Sequence, residues 1–556
     1  MQRAWLFLLA FPALACTPET PQGRSPTPPL PVASLAFTDV TTEAGLGDFQ
    51  HENGARGDKW FPETMMGGIC VLDYDGDTWP DLLLTGGYEW PSSGNAPVAP
   101  LRLYRNNQDG TFREQTAEAG LDLPPTLIMA AIPADYDNDG DPDVYLTTLH
   151  QNLLLENRNG IFVDATAATN AGGPDVWSTT AMFFDADRDG WLDVLVGNYI
   201  DWSPETNVTC SSDGQHTGYC TPEIYAGVPG FFLRNTGQGT FEASTEASGF
   251  ENFSGKTLGL TTLDYNADGW LDVAVANDTD PDQLFENQGN GRFVERGVSS
   301  GFALDEDGRA RAGMGIDVGD VTGTGVPTLF VGNFSEEMLG VYTFMGHGLF
   351  LERAAASRIG RPSLPTLTFG LFLFDPDLDG DLDLFTANGH LQEEIAITQA
   401  HIGFRQPPHL FVNDGTGQFS DEATHIGPPF TQSFVGRGAA YLDYDQDGDP
   451  DLAMIENDGP VHLWRNDTIG RSVRIRLVGR TSARDAIGTE VVGFIQDHPQ
   501  RRTLRGGHSY LSQSERQLFF GLGEATQLDS LHVRWPSGAF QRYDTIRADT
   551  LLTLYE

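Results

Sequence analysis

An Asp-rich loop of nine residues recurs seven times, beginning at Asp73, Asp135, Asp185, Asp264, Asp320, Asp375 and Asp443. The spacings are 62, 50, 79, 56, 55 and 68 residues. A repeat of this period restricts the chain to stacked or radial copies of one supersecondary unit. Each copy reads alike. A small residue stands five positions before the loop: Gly68, Ala130, Thr180, Gly259, Gly315, Gly370 or Gly438. A short apolar run follows it, as in Leu371–Phe374, and a second follows the loop, as in Leu82–Leu84 or Val194–Val196. Runs this short and apolar are strands buried on both faces. Small residues suit strands crowded round a shared centre. A third strand ends in Asn at Asn106, Asn235, Asn413 and Asn466. A fourth begins at Phe112, Phe162, Phe241, Phe293, Phe350 and Phe419.

Seven units of four strands predict an all-β chain, a seven-bladed β-propeller followed by a small β domain. The seventh unit ends at Asn466 without a fourth strand. An orphan copy, Phe37-Thr-Asp39-Val-Thr41, matches Phe112–Thr116 and Phe162–Thr166. Completing the last blade with this N-terminal strand closes the ring and leaves no open sheet edge.

The loops carry the chemistry. Four are complete Asp-x-Asp-x-Asp-Gly-x-x-Asp sequences: Asp135, Asp137, Asp139, Asp143; Asp185, Asp187, Asp189, Asp193; Asp375, Asp377, Asp379, Asp383; and Asp443, Asp445, Asp447, Asp451. Asp264, Asn266, Asp268 and Asp272 use one amide. Oxygens at positions 1, 3, 5 and 9 and a turn at 6 can wrap one hard cation, which is the ligand logic of Ca2+. The bland alternative is an Asp-Gly hairpin turn that binds nothing. Four like charges in nine residues repel without a counterion, and five copies favour calcium. Asp73, Asp75, Asp77 and Asp81 keep the charge but place Thr78 where glycine belongs. The loop at Asp320 keeps its glycine but holds Thr322, Thr324 and Thr328, and is expected to fold without metal.

Charge divides the chain in two. Its net charge is −45. From Gly470 onward, twelve arginines and no lysine face nine carboxylates, a net of +3. The remainder carries −48, from 21 cationic and 69 acidic residues. Such a surface repels phosphate backbones, so nucleic acid is not an expected partner.

The loops with their Gly-x-Phe tails resemble FG-GAP/VCBS repeats, the calcium-binding propeller repeats of integrin α-chains. Their Tyr-Arg-Asn and Phe-x-Asp-x-Thr flavour is similar to the cartilage acidic protein type. The tail resembles the ASPIC/UnbV domain through Arg484–Gly488, Gly506–Gln513, Phe519–Gly523 and Val533–Gly538. The resemblance implies the architecture more than an activity.

The N-terminus reads as an address. Arg3 precedes an apolar run, Ala4–Ala15, which has the form of a secretion signal over residues 1–15 and is too short to span a bilayer. Ala13-Leu14-Ala15-Cys16 fits either simple cleavage or lipidation of Cys16, and lipidation is the expectation. Residues 17–34 hold six prolines and read as an extended tether within residues 16–35. The propeller is placed at 36–469 and the β domain at 470–556. Export to the outer membrane or cell surface follows, with a soluble periplasmic or secreted form as the alternative. Cys210 and Cys220 sit ten apart in a polar insertion and can form a disulfide in an oxidising compartment, with zinc as the weaker reading. Cys70 lies in an apolar run and reads as a buried thiol.

Three long connectors join second to third strands: 86–100, 198–231 and 388–409. They carry Tyr88, Trp90, Tyr199 and Trp202, with Tyr225. Exposed aromatics there would suit a protein or glycan ligand; the alternative is that they pack the insertions onto the ring. Arg56-Gly57-Asp58 is too short a motif to carry meaning. No nucleophile elbow or zinc motif occurs, so a binding or adhesion module is the first reading. A propeller enzyme acting on an extracellular polymer is the alternative.

Overall fold

The computed structural model describes residues 35–90, 98–211, 214–305 and 307–556. The signal, Cys16 and the tether up to residue 34 lie outside the described residues. Seven four-stranded antiparallel sheets follow one another along the chain. Their innermost strands are Ile69–Leu72, Ile128–Ala134, Ser178–Phe184, Thr257–Leu263, Ile316–Gly319, Thr368–Phe374 and Gly436–Leu442. Each touches the next, and the last touches the first, so the sheets form a ring of blades 1 to 7. The inner strands are buried on both faces, as their unbroken apolar runs require. Blade 7 takes its outer strand from the N-terminus. Phe37, Thr38 and Asp39 pair with Asn466, Arg465 and Trp464.

Small residues stand before the loops because the next blade is close. A Cβ on Gly438 would lie 2.4 Å from the Gly67 carbonyl oxygen, well inside contact distance. Six of the seven blades are also tied by one side chain each. The Asn ending the third strand donates through its amide to the carbonyl of loop position 2 in the preceding blade. The pairs are Asn106 to Tyr444, Asn157 to Tyr74, Asn235 to Tyr136, Asn287 to Ala186, Asn413 to Val321 and Asn466 to Pro376, at 2.8–2.9 Å. Blade 5 has Phe344 at that place, packed on Tyr265 of blade 4 at 5.4 Å between ring centres.

The tail forms two sheets. One pairs Ser472–Val478 with Leu518–Gly521 and, in parallel, with Thr550–Tyr555; the other has four antiparallel strands. Val473, Val491, Phe520, Leu531 and Trp535 lie in its core. Between strands His498–Thr503 and Leu518–Gly521 the chain leaves this domain and enters the hub of the propeller. There it pairs with inner strands as a further backbone partner. Ser509 exchanges hydrogen bonds with Ile316, at 2.8 and 3.2 Å. Gln513 N–H donates to Ile69 O and its carbonyl accepts from Val71 N–H. Glu515 N–H donates to Tyr441 O. Gly506 faces the Phe183 carbonyl so closely that a Cβ would stand 2.3 Å from it. The Tyr510 hydroxyl donates to Met65 O at 2.7 Å, meeting the Trp60–Met66 segment. The hub is thus filled by chain from the tail.

Candidate metal centres

Each loop is a turn built round its first Asp. Oδ2 of Asp135, Asp185, Asp264 and Asp375 accepts the position 6 N–H at 2.8–3.1 Å. Position 6 has positive φ throughout, from 77° to 110°, and it is glycine in six loops. Blade 1 places Thr78 there at φ 77°. The ninth residue anchors the other end. Asp143 Oδ2 accepts Tyr136 N–H, and its Oδ1 accepts Asn157 N–H. The same pair of bonds recurs at Asp81, Asp193, Asp272 and Asp451. The carboxylate therefore joins the loop to the Asn that reaches the neighbouring blade.

Five loops bring three carboxylate oxygens within 4.8 Å of one another: Asp73, Asp75, Asp81; Asp135, Asp137, Asp143; Asp185, Asp187, Asp189; Asp375, Asp377, Asp379; and Asp443, Asp445, Asp451. These clusters can hold a metal ion. In blade 4, Asn266 donates to Asp268 at 3.0 Å, and no such carboxylate triple forms among the described residues. In blade 5, the Thr322 and Thr324 hydroxyls pair at 2.7 Å round Asp320.

The donor set fits a cation. Buried oxygens of Asp73, Asp135, Asp187, Asp375, Asp377 and Asp443 lack any hydrogen-bond partner. An unpaired buried carboxylate oxygen is costly, and a cation removes that cost. Burial pushes Asp73 and Asp185 up to about 6, Asp135 and Asp375 to about 7, and Asp81 and Asp443 to about 8. It pushes Asp143 and Asp377 to about 9, with neighbouring carboxylates adding to the shift.

Arginines answer part of this charge. Arg105 binds Asp75 and Asp77, and Arg234 binds Asp187. The tail contributes Arg474 to Asp443, Arg484 to Asp135 at 3.6 Å, Arg502 to Asp375 at 3.4 Å, and Arg501 to Asp320 at 3.9 Å. The basic excess seen in the tail sequence thus faces the acidic loops. Sequence reasoning missed this docking; the charge division was its only signal.

Of the two readings of the connector aromatics, the structure shows the packing one. Tyr199 is fully buried, Trp90 and Trp202 nearly so, and Tyr88 and Tyr225 are half-buried. Trp60 and Trp90 stand 4.4 Å apart, Trp177 and Tyr199 5.2 Å, and Phe61 and Tyr225 5.8 Å. Tyr199 donates to Asp278 at 2.6 Å. These rings pack the insertions onto the ring, as large apolar faces do when a partner surface is near. Cys210 and Cys220 form a disulfide in the same insertion, and Cys70 is a buried thiol.

Geometry and repeats define a β-propeller-like protein of Asp-loop units with a β domain docked on its loop face. The profile of the FG-GAP-like repeat matches residues 73–146, 135–196, 264–331 and 375–454, and that of ASPIC and UnbV matches 479–556. The chain therefore carries FG-GAP-like repeats and a C-terminal ASPIC and UnbV domain. It is homologous to cartilage acidic protein 1. It is 25% identical to the Xenopus tropicalis protein over 279 residues, 48% of this chain and 40% of that one. It is 26% identical to the Mus musculus protein over 272 residues, 48% of this chain and 40% of that one. The match spans about two-fifths of these relatives. A solved chain of an Agrocybe aegerita lectin, described with recognition of non-reducing terminal N-acetylglucosamine, is 15% identical, with coverage of 71% and 87% and a TM-score of 0.36. Likeness at that level carries no argument about function. Among the described residues no helix is long and apolar enough to cross a membrane.

Proposed function

We propose that this chain is an exported, calcium-binding β-propeller that serves as a surface binding module for a protein or glycan ligand. The observation that carries the calcium reading is the orphaned oxygen. Loop after loop buries a carboxylate oxygen that no protein group satisfies, beside two or three further carboxylates. The residues that would hold the ion are Asp73, Asp75, Asp81 in blade 1 and their counterparts in blades 2, 3, 6 and 7, with Asp264, Asn266, Asp268 and Asp272 in blade 4. Bound calcium supplies charge neutralisation, and rigidity of the loop face follows from it. The chain's own residues fix the turn and link it to the next blade through Asn. Export is supported by the apolar run Ala4–Ala15 and by the disulfide, which suits an oxidising compartment. Anchoring through Cys16 completes the proposal, and Cys16→Ser is expected to move the protein from the membrane fraction to the soluble one.

The test is calcium titration of the exported protein against a chromophoric chelator. Six equivalents are expected, one for each of the five carboxylate clusters and one for the blade 4 loop, with magnesium bound more weakly. Thr324→Ala should leave the count unchanged, and Asp379→Ala should remove one site. Less than one tightly bound equivalent would sink the calcium reading.

A further inference from the structure

A cavity of about 540 Å³ lies where the tail domain meets the loops of blades 4, 5 and 6. Arg188, Arg501, Arg502, Arg505 and Arg534 line it, and Phe374, Phe519 and Trp535 contribute apolar wall. It opens to solvent beside Arg534, whose side chain is 70% exposed.

These arginines differ in how fully they are answered. Arg505 pairs with the buried Asp317 at 3.0 Å, and Arg502 donates to Phe519 O and Gly380 O beside Asp375. Arg501 and Arg534 share one carboxylate, Glu490. The Arg501 Nε is closed off from solvent and has no hydrogen-bond partner. Asp320 Oδ2 stands 3.9 Å from it, beyond hydrogen-bond reach. Over blades 2, 6 and 7 the tail arginines meet loops with four carboxylates. Over blade 5 the loop has lost that charge, and the cavity lies there.

The sign of the cavity depends on the loops. Its five arginines face five lining carboxylates: Asp264, Asp268, Asp320, Asp375 and Glu490. Asp264, Asp268 and Asp375 belong to the loops assigned to calcium. A divalent ion in each of those loops offsets two of the three ligand carboxylates of blade 4 and two of the four of blade 6, which shifts the balance of the cavity toward its arginines, although Asp317 still answers Arg505. We propose that this cavity is an oxyanion site for a carboxylate or sulfate borne on an apolar or ring-shaped body, and that loop calcium makes it competent. The proposal rests on the calcium reading above.

The experiment is isothermal titration of the full chain with sodium glucuronate, sodium sulfate and glucose at constant ionic strength, in calcium and after chelation. Both anions should bind the calcium-loaded protein at least about tenfold more tightly than the chelated one, a change set by a few unit charges at close range. Glucose should not bind. Tighter glucuronate would assign a sugar acid using the apolar wall, and tighter sulfate would assign a sulfate group. Arg534→Gln, at an exposed position, and Arg501→Gln should each lower anion affinity about tenfold with calcium equivalents unchanged. Anion binding indifferent to calcium, equal binding of glucose, or full affinity in both variants would overturn the proposal. Calcium bound without anion binding refutes this inference alone; no calcium bound refutes the metal reading as well.

Discussion

Blades 5 and 6 are neighbours built on the same turn, and only one of them is acidic. In both, the first Asp accepts the position 6 glycine N–H: Asp320 from Gly325 at 2.6 Å, and Asp375 from Gly380 at 3.1 Å. Blade 5 then fills positions 3, 5 and 9 with threonine, and the turn survives with paired hydroxyls. Blade 6 fills them with Asp377, Asp379 and Asp383, all buried, with several oxygens unsatisfied. The turn therefore needs only one carboxylate and a residue tolerating positive φ. The carboxylates at positions 3 and 5 of blade 6 are not needed for the turn, since threonine replaces them in blade 5, and together with the ninth, which accepts Asn413 N–H, they cost desolvation and repulsion. The calcium proposed above would account for their place in the sequence. Blade 5 also lacks the ninth Asp and the Asn whose backbone N–H that carboxylate would accept, so this anchor and the tie to blade 4 are lost together.

Calcium removal should have the largest effect, and it should act on the six acidic blades rather than on blade 5. Ligand binding to the folded state alone stabilises each site by about 2.7 kcal/mol at a hundred times Kd. A large fall in melting temperature in EDTA, restored by calcium, is expected. Its pH dependence follows from the raised pKa values. An aspartate raised from about 3.9 in the unfolded chain contributes stability that is complete below that value. This is lost as pH rises through the folded value, here about 6 for Asp73, about 8 for Asp81 and about 9 for Asp143. Chelated protein should therefore lose stability steadily between these values, and calcium-loaded protein should not. Superimposable melting curves with and without calcium across that range would break the comparison.

The next largest effect concerns closure. Deleting residues 1–45 strips the outer strand from Val461–Asn466 and removes Phe37 from Phe430, 5.2 Å away. Aggregation or loss of cooperative unfolding is expected from an exposed sheet edge, whereas deleting 17–34 should leave the melting curve in place. Equal stability of the two truncations would count against a ring held shut by this strand.

Much of this was legible because the determinants are local. The Asp loops, the strand starts at Phe112, Phe162, Phe241, Phe293, Phe350 and Phe419, and the orphan strand at Phe37 all follow from short-range pattern, and the strands begin at those residues. The hub was not legible. Gly506–Gln513 has no apolar period, and its partners lie in inner strands such as Ile316 and Ile69, hundreds of residues earlier. The connector aromatics left two readings open for a related reason. A Trp in a polar insertion reads the same whether it faces solvent or, like Trp90 and Trp202, another Trp. The Asn at the third strand's end was visible as a repeat, yet its tie was not: Asn106 reaches Tyr444, 338 residues away.

That tie supplies a smaller test. Asn413→Ala removes the bond to Val321 and leaves buried carbonyls at Val321 and Leu382 short of a donor. A loss of about 1–3 kcal/mol is expected. Phe344→Ala in blade 5, where no such tie exists, should destabilise only through lost packing on Tyr265 and Phe350. Hydrogen exchange separates the two. Asn413→Ala should raise exchange at the blade 5–6 boundary, including the blade 5 loop. Unchanged protection there would deny the amide its role.

The smallest effect sharpens the comparison from its other side. Blade 1 is the inverse of blade 5: it keeps the charge and loses the glycine. Thr78 holds φ 77°, a region costly for a β-branched residue. Its N–H still donates to Asp73 Oδ2 at 2.9 Å, and its carbonyl accepts from Gln446 and Arg476. None of these bonds uses the threonine side chain. Thr78→Gly should therefore relieve strain without disturbing the loop, and the gain should be about 1 kcal/mol after the glycine's greater unfolded-state freedom is subtracted. Calcium equivalents should not change, because Asp73, Asp75 and Asp81 remain clustered. A destabilised Thr78→Gly would mean that the hydroxyl or methyl does something for the loop that glycine cannot. The separation of turn from charge would then fail at blade 1, even if it held at blade 5.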